Sequence, residues 1–99
     1  MSQYSILIML LLSKTKSARG DYSLLTFVER FGYQGKLSPL LFDLFALGYI
    51  EEIQVDGIQR IRSTTKGDLW IEQVDVEAEF ETFDRSQSSW AIVERLINA

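Results

Sequence analysis

Apolar residues in this chain recur first at helical spacing, then in alternation, then at helical spacing again. Tyr4 to Ser13 is apolar almost all round, which predicts a helix buried on more than one side. The polar run KTKSARG follows with three positive charges. From Asp21, a good helix cap, Leu24, Leu25, Phe27, Val28 and Phe31 recur at helical spacing until Gly32 supplies a stop, and Gly35 keeps the turn loose. Ser38-Pro39 reads as the next start, with Ser38 as the cap and proline at the first helical position, where its missing N–H needs no partner. Leu37, Leu41 and Leu44 fall along one face with Leu40 beside them, and Gly48 ends the helix. Tyr49 to Val55 is extended, Asp56-Gly57 makes a tight hairpin turn, and Ile58 to Ser63 returns. Thr65 followed by Asp68 has capping-box character and opens another segment.

The order is helix, helix, turn, helix, two-stranded hairpin, helix: mainly α with a small β-hairpin. A winged helix-turn-helix has this order, with a three-helix core, a two-stranded wing and C-terminal helices. A three-helix domain with a hairpin and no role on DNA has it too. The carboxy-terminal third is harder to assign. Val74 to Glu81 (VDVEAEFE) alternates as a strand does. Read as a helix, Leu69, Val76, Phe80 and Phe83 form one apolar stripe, Trp70, Val74 and Ala78 a second, and Asp68, Glu72, Asp75 and Glu79 an acidic one. That acidic stripe lacks the Gly- or Asn-bearing loop of an oxygen cage, so a solvated face is expected and no metal. Ser86 to Ser89 starts a last helix with Trp90, Val93 and Ile97 on one side. Trp70 and Trp90 suit an effector pocket or plain core.

Composition narrows the chemistry. The 99 residues contain neither cysteine nor histidine, which removes thiolates, Cys-ligated zinc and the commonest general base. No group organises a carboxylate mechanism in their place, so we expect no enzyme and no cofactor. Ile6 to Leu12 is the most apolar run and is far too short to span a bilayer. No basic residue precedes it, so neither a membrane nor a signal peptide is expected, and the chain is placed in the cytoplasm. The net charge is −4, but residues 66–84 hold seven carboxylates against Lys66 alone. Residues 1–65 are nearly balanced, so a basic face elsewhere stays open.

Three motifs are similar to those of the PadR-like family of winged-helix transcriptional regulators. DYSLLTFVERFG (Asp21–Gly32) resembles that family's GYELI…LEE segment, with Tyr22 and Leu24 in the matching places. LSPLLFDLFALGYIE (Leu37–Glu51) resembles LYPALRRLEAEGLIE, including the proline, the leucine spacing and the final glycine. STTKGDLWIE (Ser63–Glu72) resembles the LTEKG segment after the wing. The likeness covers roughly residues 5–73. It implies a winged-helix domain over residues 1–66 and a C-terminal helical segment over 67–99, packed on the same domain and serving a homodimer. Trp90, Val93 and Ile97 are then the candidates for the dimer contact, and helix rather than strand is favoured for 74–81. The departures lie where chemistry is expected: the family's tyrosine before proline is Ser38 here, and its two basic residues in the recognition helix are Phe42 and Asp43.

Base readout relies on Arg, Lys, Asn or Gln. The side chains expected toward the groove are Phe42, Asp43 and Phe45, and none of them donates a hydrogen bond. These phenylalanines suit the core, a protein interface or, least well, a base contact. Phosphate contact has better candidates in Lys36, Ser38, Arg60, Arg62 and Lys66, with Arg60 and Arg62 on one strand face opposite Ile61. So few contacts require a dimer for tight binding to double-stranded DNA. The expected function is therefore a small dimeric DNA-binding transcription regulator, with a winged helix that binds a protein partner as the alternative.

Overall fold

The computed structural model describes residues 3–16, 35–81, 91 and 94. The helix expected over Asp21–Gly32 and the contact expected at Trp90, Val93 and Ile97 lie outside the described residues. Within them the chain forms α1 (Gln3–Lys14), α2 (Leu37–Ala46), β1 (Ile50–Val55), β2 (Ile58–Ser63), α3 (Thr65–Gln73) and a single turn, α4 (Val76–Glu79). The domain is thus mainly α with one antiparallel hairpin, an arrangement compatible with a winged helix and not specific to it.

α1 is the centre of the core. Every residue from Ser5 to Leu10 is buried, and so is Leu12. Six consecutive buried positions cover all sides of a helix, and α1 is met by α2, β2 and α3. Leu44 from α2, Ile50 from β1, Ile71 from α3, and Val76 and Phe80 complete the cluster. Val76 and Phe80 stand four apart, so the turn of α4 directs both into the core.

The hairpin follows its turn chemistry. Val55 pairs with Ile58, and Asp56 and Gly57 between them have φ of 53° and 77°. Two successive positive φ values define the turn type whose twist matches that of the flanking strands.

Three local expectations are corrected. The cap of α2 is Lys36, with no side-chain hydrogen bond, and Ser38 lies inside the first turn. Any of the first helical positions tolerates proline, because none of their N–H groups has an intrahelical partner, so Pro39 marks the neighbourhood of the start and not its residue. The cap of α3 is Thr64 and not Thr65, for Thr64 has the extended backbone and accepts from the Gly67 N–H at 3.1 Å. Finally, residues 76–79 are helical and no strand forms there, but the helix is not continuous. Val74 and Asp75 leave helical geometry, and Asp75 caps α4 by accepting from the Ala78 N–H at 3.2 Å. That break divides the expected stripes: Val76 and Phe80 are buried, whereas Leu69 is 55% exposed.

Gly67 sits where α3 crosses the end of the α2–β1 connection. A Cβ there would press on the Tyr49 carbonyl oxygen and come to 2.7 Å from Met9 Cε and 2.9 Å from the Tyr49 carbonyl carbon. In an unhindered helix Gly→Ala is stabilising. Here Gly67→Ala is expected to destabilise by about 3 kcal/mol and to lower Tm by roughly 15 °C, checked by thermal melts followed by circular dichroism. A neutral or stabilising effect would contradict the close packing.

Candidate functional site

α2 separates its residues cleanly by face. Leu44 is fully buried, and Leu37, Leu40, Leu41 and Phe45 are half-buried against the core. Ser38, Pro39, Phe42, Asp43 and Ala46 are exposed. At helical spacing these five occupy one continuous arc, on which Phe42 lies between Ser38 and Ala46. Phe42 is 71% exposed, and Leu47, just past the helix, is 42% exposed. Phe45, expected beside Phe42, instead follows Leu44 onto the edge of the buried face. The outward arc holds one carboxylate, an aromatic ring and small residues. It holds no cation and no amide.

The candidate phosphate contacts are dispersed. Lys36 stands exposed at the amino end of α2, next to Ser38. On the hairpin Arg62 faces its cross-strand neighbour Glu51 and donates from Nε to Glu51 Oε1 at 2.7 Å. Both side chains are partly solvated, so the pair adds little stability, yet it offsets the charge that Arg62 would offer a phosphate. Arg60 is half-buried opposite Ile53, and Ile61 between the two arginines packs on the core. Lys66 is in the first turn of α3, where its ammonium lies 5.6 Å from the centre of the Tyr49 ring. Tyr49 in turn stacks on Trp70 at 4.8 Å with a 15° angle between planes. Trp70 is therefore part of a packed stack in this domain.

Two polar contacts tie these surfaces together. Thr64 donates from Oγ1 to the Gly48 carbonyl at 2.7 Å, while its N–H donates to the Tyr49 carbonyl at 3.0 Å. Gly48 makes this approach with φ of +75°, a conformation that glycine adopts without strain. At the other end of α1, Lys16 donates to Asp68 Oδ2 at 2.8 Å. Partial burial raises the Asp68 carboxyl pKa. The Lys16 ammonium and the nearby Ser63 and Ser13 hydroxyls lower it by more, leaving it below the ordinary carboxylate range. Oδ1 of Asp68 and Oγ of Ser63 are both buried, and neither closes a direct hydrogen bond. Asp68 is thus an anchor between α1 and α3, one member lost from the expected acidic stripe.

Thr64, Gly67 and the Tyr49–Trp70 stack were not visible as a unit from spacing. The one available signal was the glycine in the first turn of a helix, which costs helix stability unless space demands it. No helix among the described residues is long and apolar enough to cross a membrane. Comparison with protein-family models, with curated proteins and with solved structures found no match.

A carboxyl with a lowered folded pKa stabilises the fold above its unfolded value, and that contribution is lost as pH falls through the folded value. For Asp68 the loss begins near the ordinary value of 3.8 and completes below it. Asp68→Asn is expected to lower the urea midpoint at pH 7, with the difference from wild type shrinking as the acid limit is approached. A difference that stays constant with pH would assign the effect to packing instead of charge.

Proposed function

We propose that this chain is a non-catalytic interaction module on a winged-helix-like scaffold, in which the outward face of α2 contacts a protein partner. Phe42 carries this proposal. A ring exposed to this extent, flanked by Pro39, Ala46 and Leu47 and without a cation on its helix face, suits an apolar protein surface. The same face suits DNA poorly: Asp43 repels phosphates, and no residue on it offers the paired donors that read a guanine edge.

A second reading keeps the scaffold on DNA, as a dimeric transcription regulator of the PadR-like kind. The open amino end of α2, with Lys36 and Ser38 beside it and a hairpin following, favours it. Lys36, Ser38, Arg60, Arg62 and Lys66 would then grip phosphates with little base readout. Trp90, Val93 and Ile97 remain its candidates for dimer contact, and the cytoplasm its expected location.

Replacing Phe42 with the photo-crosslinker p-benzoylphenylalanine separates the two. On irradiation in an extract of the native host, a discrete protease-sensitive adduct that resists nuclease is expected. A nuclease-sensitive adduct would transfer the face to DNA. Anisotropy with mixed duplex fragments gives an independent check: four or five phosphate contacts would weaken binding on the order of a hundredfold between 50 and 200 mM salt, whereas the protein-binding module shows no saturable DNA binding.

A further inference from the structure

Three exposed positions of α2 are related in a way that one copy of the helix cannot use. Ser38 and Phe42 stand one turn apart on the same side, small beside large, and Phe42 leaves 71% of its surface to solvent. Asp43, also exposed, lies six residues beyond Leu37, or roughly 9 Å along the axis.

The amino end of α2 is the electrostatic complement of Asp43. The first N–H groups of a helix carry partial positive charge. No acidic residue lies in the first turn of α2, and its cap residue, Lys36, makes no side-chain hydrogen bond to it. Lys36 is engaged within its own chain and stays so; the backbone supplies the positive pole.

We propose that the outward face of α2 pairs with the same face of a second copy of this chain, antiparallel, about a twofold axis level with Leu40. Such an axis sets each residue opposite the one equally far on the other side of Leu40. Phe42 then meets Ser38 of the second copy, so each ring enters the space beside a small side chain. Asp43 comes level with Leu37 of the second copy, at the positive end of that helix. Shape and charge thus select the same register. An axis level with Phe42 instead brings the two Asp43 carboxylates to nearly the same level, where they repel. Ten residues of helix bury less than the ~1,000 Å² expected of a stable interface, so the dimer is weak and depends on concentration. This inference rests on the reading of the α2 face as a protein contact and names the partner as the chain itself.

The test is sedimentation equilibrium of the full chain from roughly 10 µM to 1 mM, with three substitutions at exposed positions. The chain is expected to pass from monomer toward dimer over this range, and Phe42→Ala to remain monomeric. Ser38→Leu fills the space opposite the ring and should weaken the dimer on the order of tenfold, although it adds apolar surface. Asp43→Lys should weaken it on the order of tenfold, although it removes net negative charge that drives copies apart. Unspecific association has the opposite sign for both. Stronger association of either variant, or a monomer throughout the range, would overturn the proposal. Thermal melts confirm that each variant is folded. p-Benzoylphenylalanine at position 42 separates self-pairing from the reading beneath it. In the purified chain it should give an adduct of twice the chain mass, attached near Ser38. No such adduct, but one with a different protein in extract, would overturn self-pairing and leave the α2 face a protein contact. No protein adduct in either would remove both.

Discussion

The structure depends on one tight crossing, where Thr64 and Gly67 at the head of α3 meet Gly48 and Tyr49 at the foot of α2. Four constraints coincide there. Gly67 admits the Tyr49 backbone and Met9 side by side. Thr64 caps α3, accepts from Gly67 and donates to Gly48. The Thr64 N–H closes on the Tyr49 carbonyl. Tyr49 then lies stacked on Trp70, with Lys66 over its ring. Backbone groups that would otherwise be stranded between two helices and a hairpin are satisfied in the process. α2, the hairpin and α3 are thereby held against α1 as one body.

That body determines what α2 can offer. Leucines on one side are spent on the core, and the opposite side is turned outward with Phe42 as its one large apolar side chain. A helix that reads DNA concentrates cations on such a face, and the described cations of this domain lie elsewhere. Arg62 is drawn to Glu51, Lys66 to Tyr49 and Lys16 to Asp68. Each contact is weak alone, but together they direct positive charge toward the fold's own acids and rings. Desolvating an exposed phenylalanine against an apolar partner is the larger gain available to this surface.

Much of the fold was legible because it rests on local rules. Burial on all sides of α1 followed from the uninterrupted apolar run Ile6–Leu12, and Asp56-Gly57 named its own turn. What escaped were features decided by tertiary geometry. Ser38 is a better cap than Lys36 by residue type, yet helix start is set by where Leu37 must pack. Alternation in VDVEAEFE mimics a strand, and it is overridden because Asp75 caps a turn that delivers Val76 and Phe80 to the core. The outward face of α2 was partly legible: leucine spacing located it, but Phe45 lies close enough to the buried edge that spacing alone could not turn it inward. The break after Gln73 escaped as well, because periodicity read through it as though it were absent.

The central claim is that the Thr64–Gly67 crossing joins the hairpin, α2 and α3 to α1 as a single cooperative unit that holds Phe42 outward. Native-state hydrogen exchange under increasing denaturant tests it directly, because it reports the opening free energy amide by amide. The amides of Tyr49, Thr64, Gly67 and Asp68 all donate within the crossing. They should open with the same free energy and denaturant dependence as Met9 and Leu10 of α1. Exchange of the crossing through a smaller opening, while α1 stays protected, would contradict the claim and make the α2 face a separately mobile element.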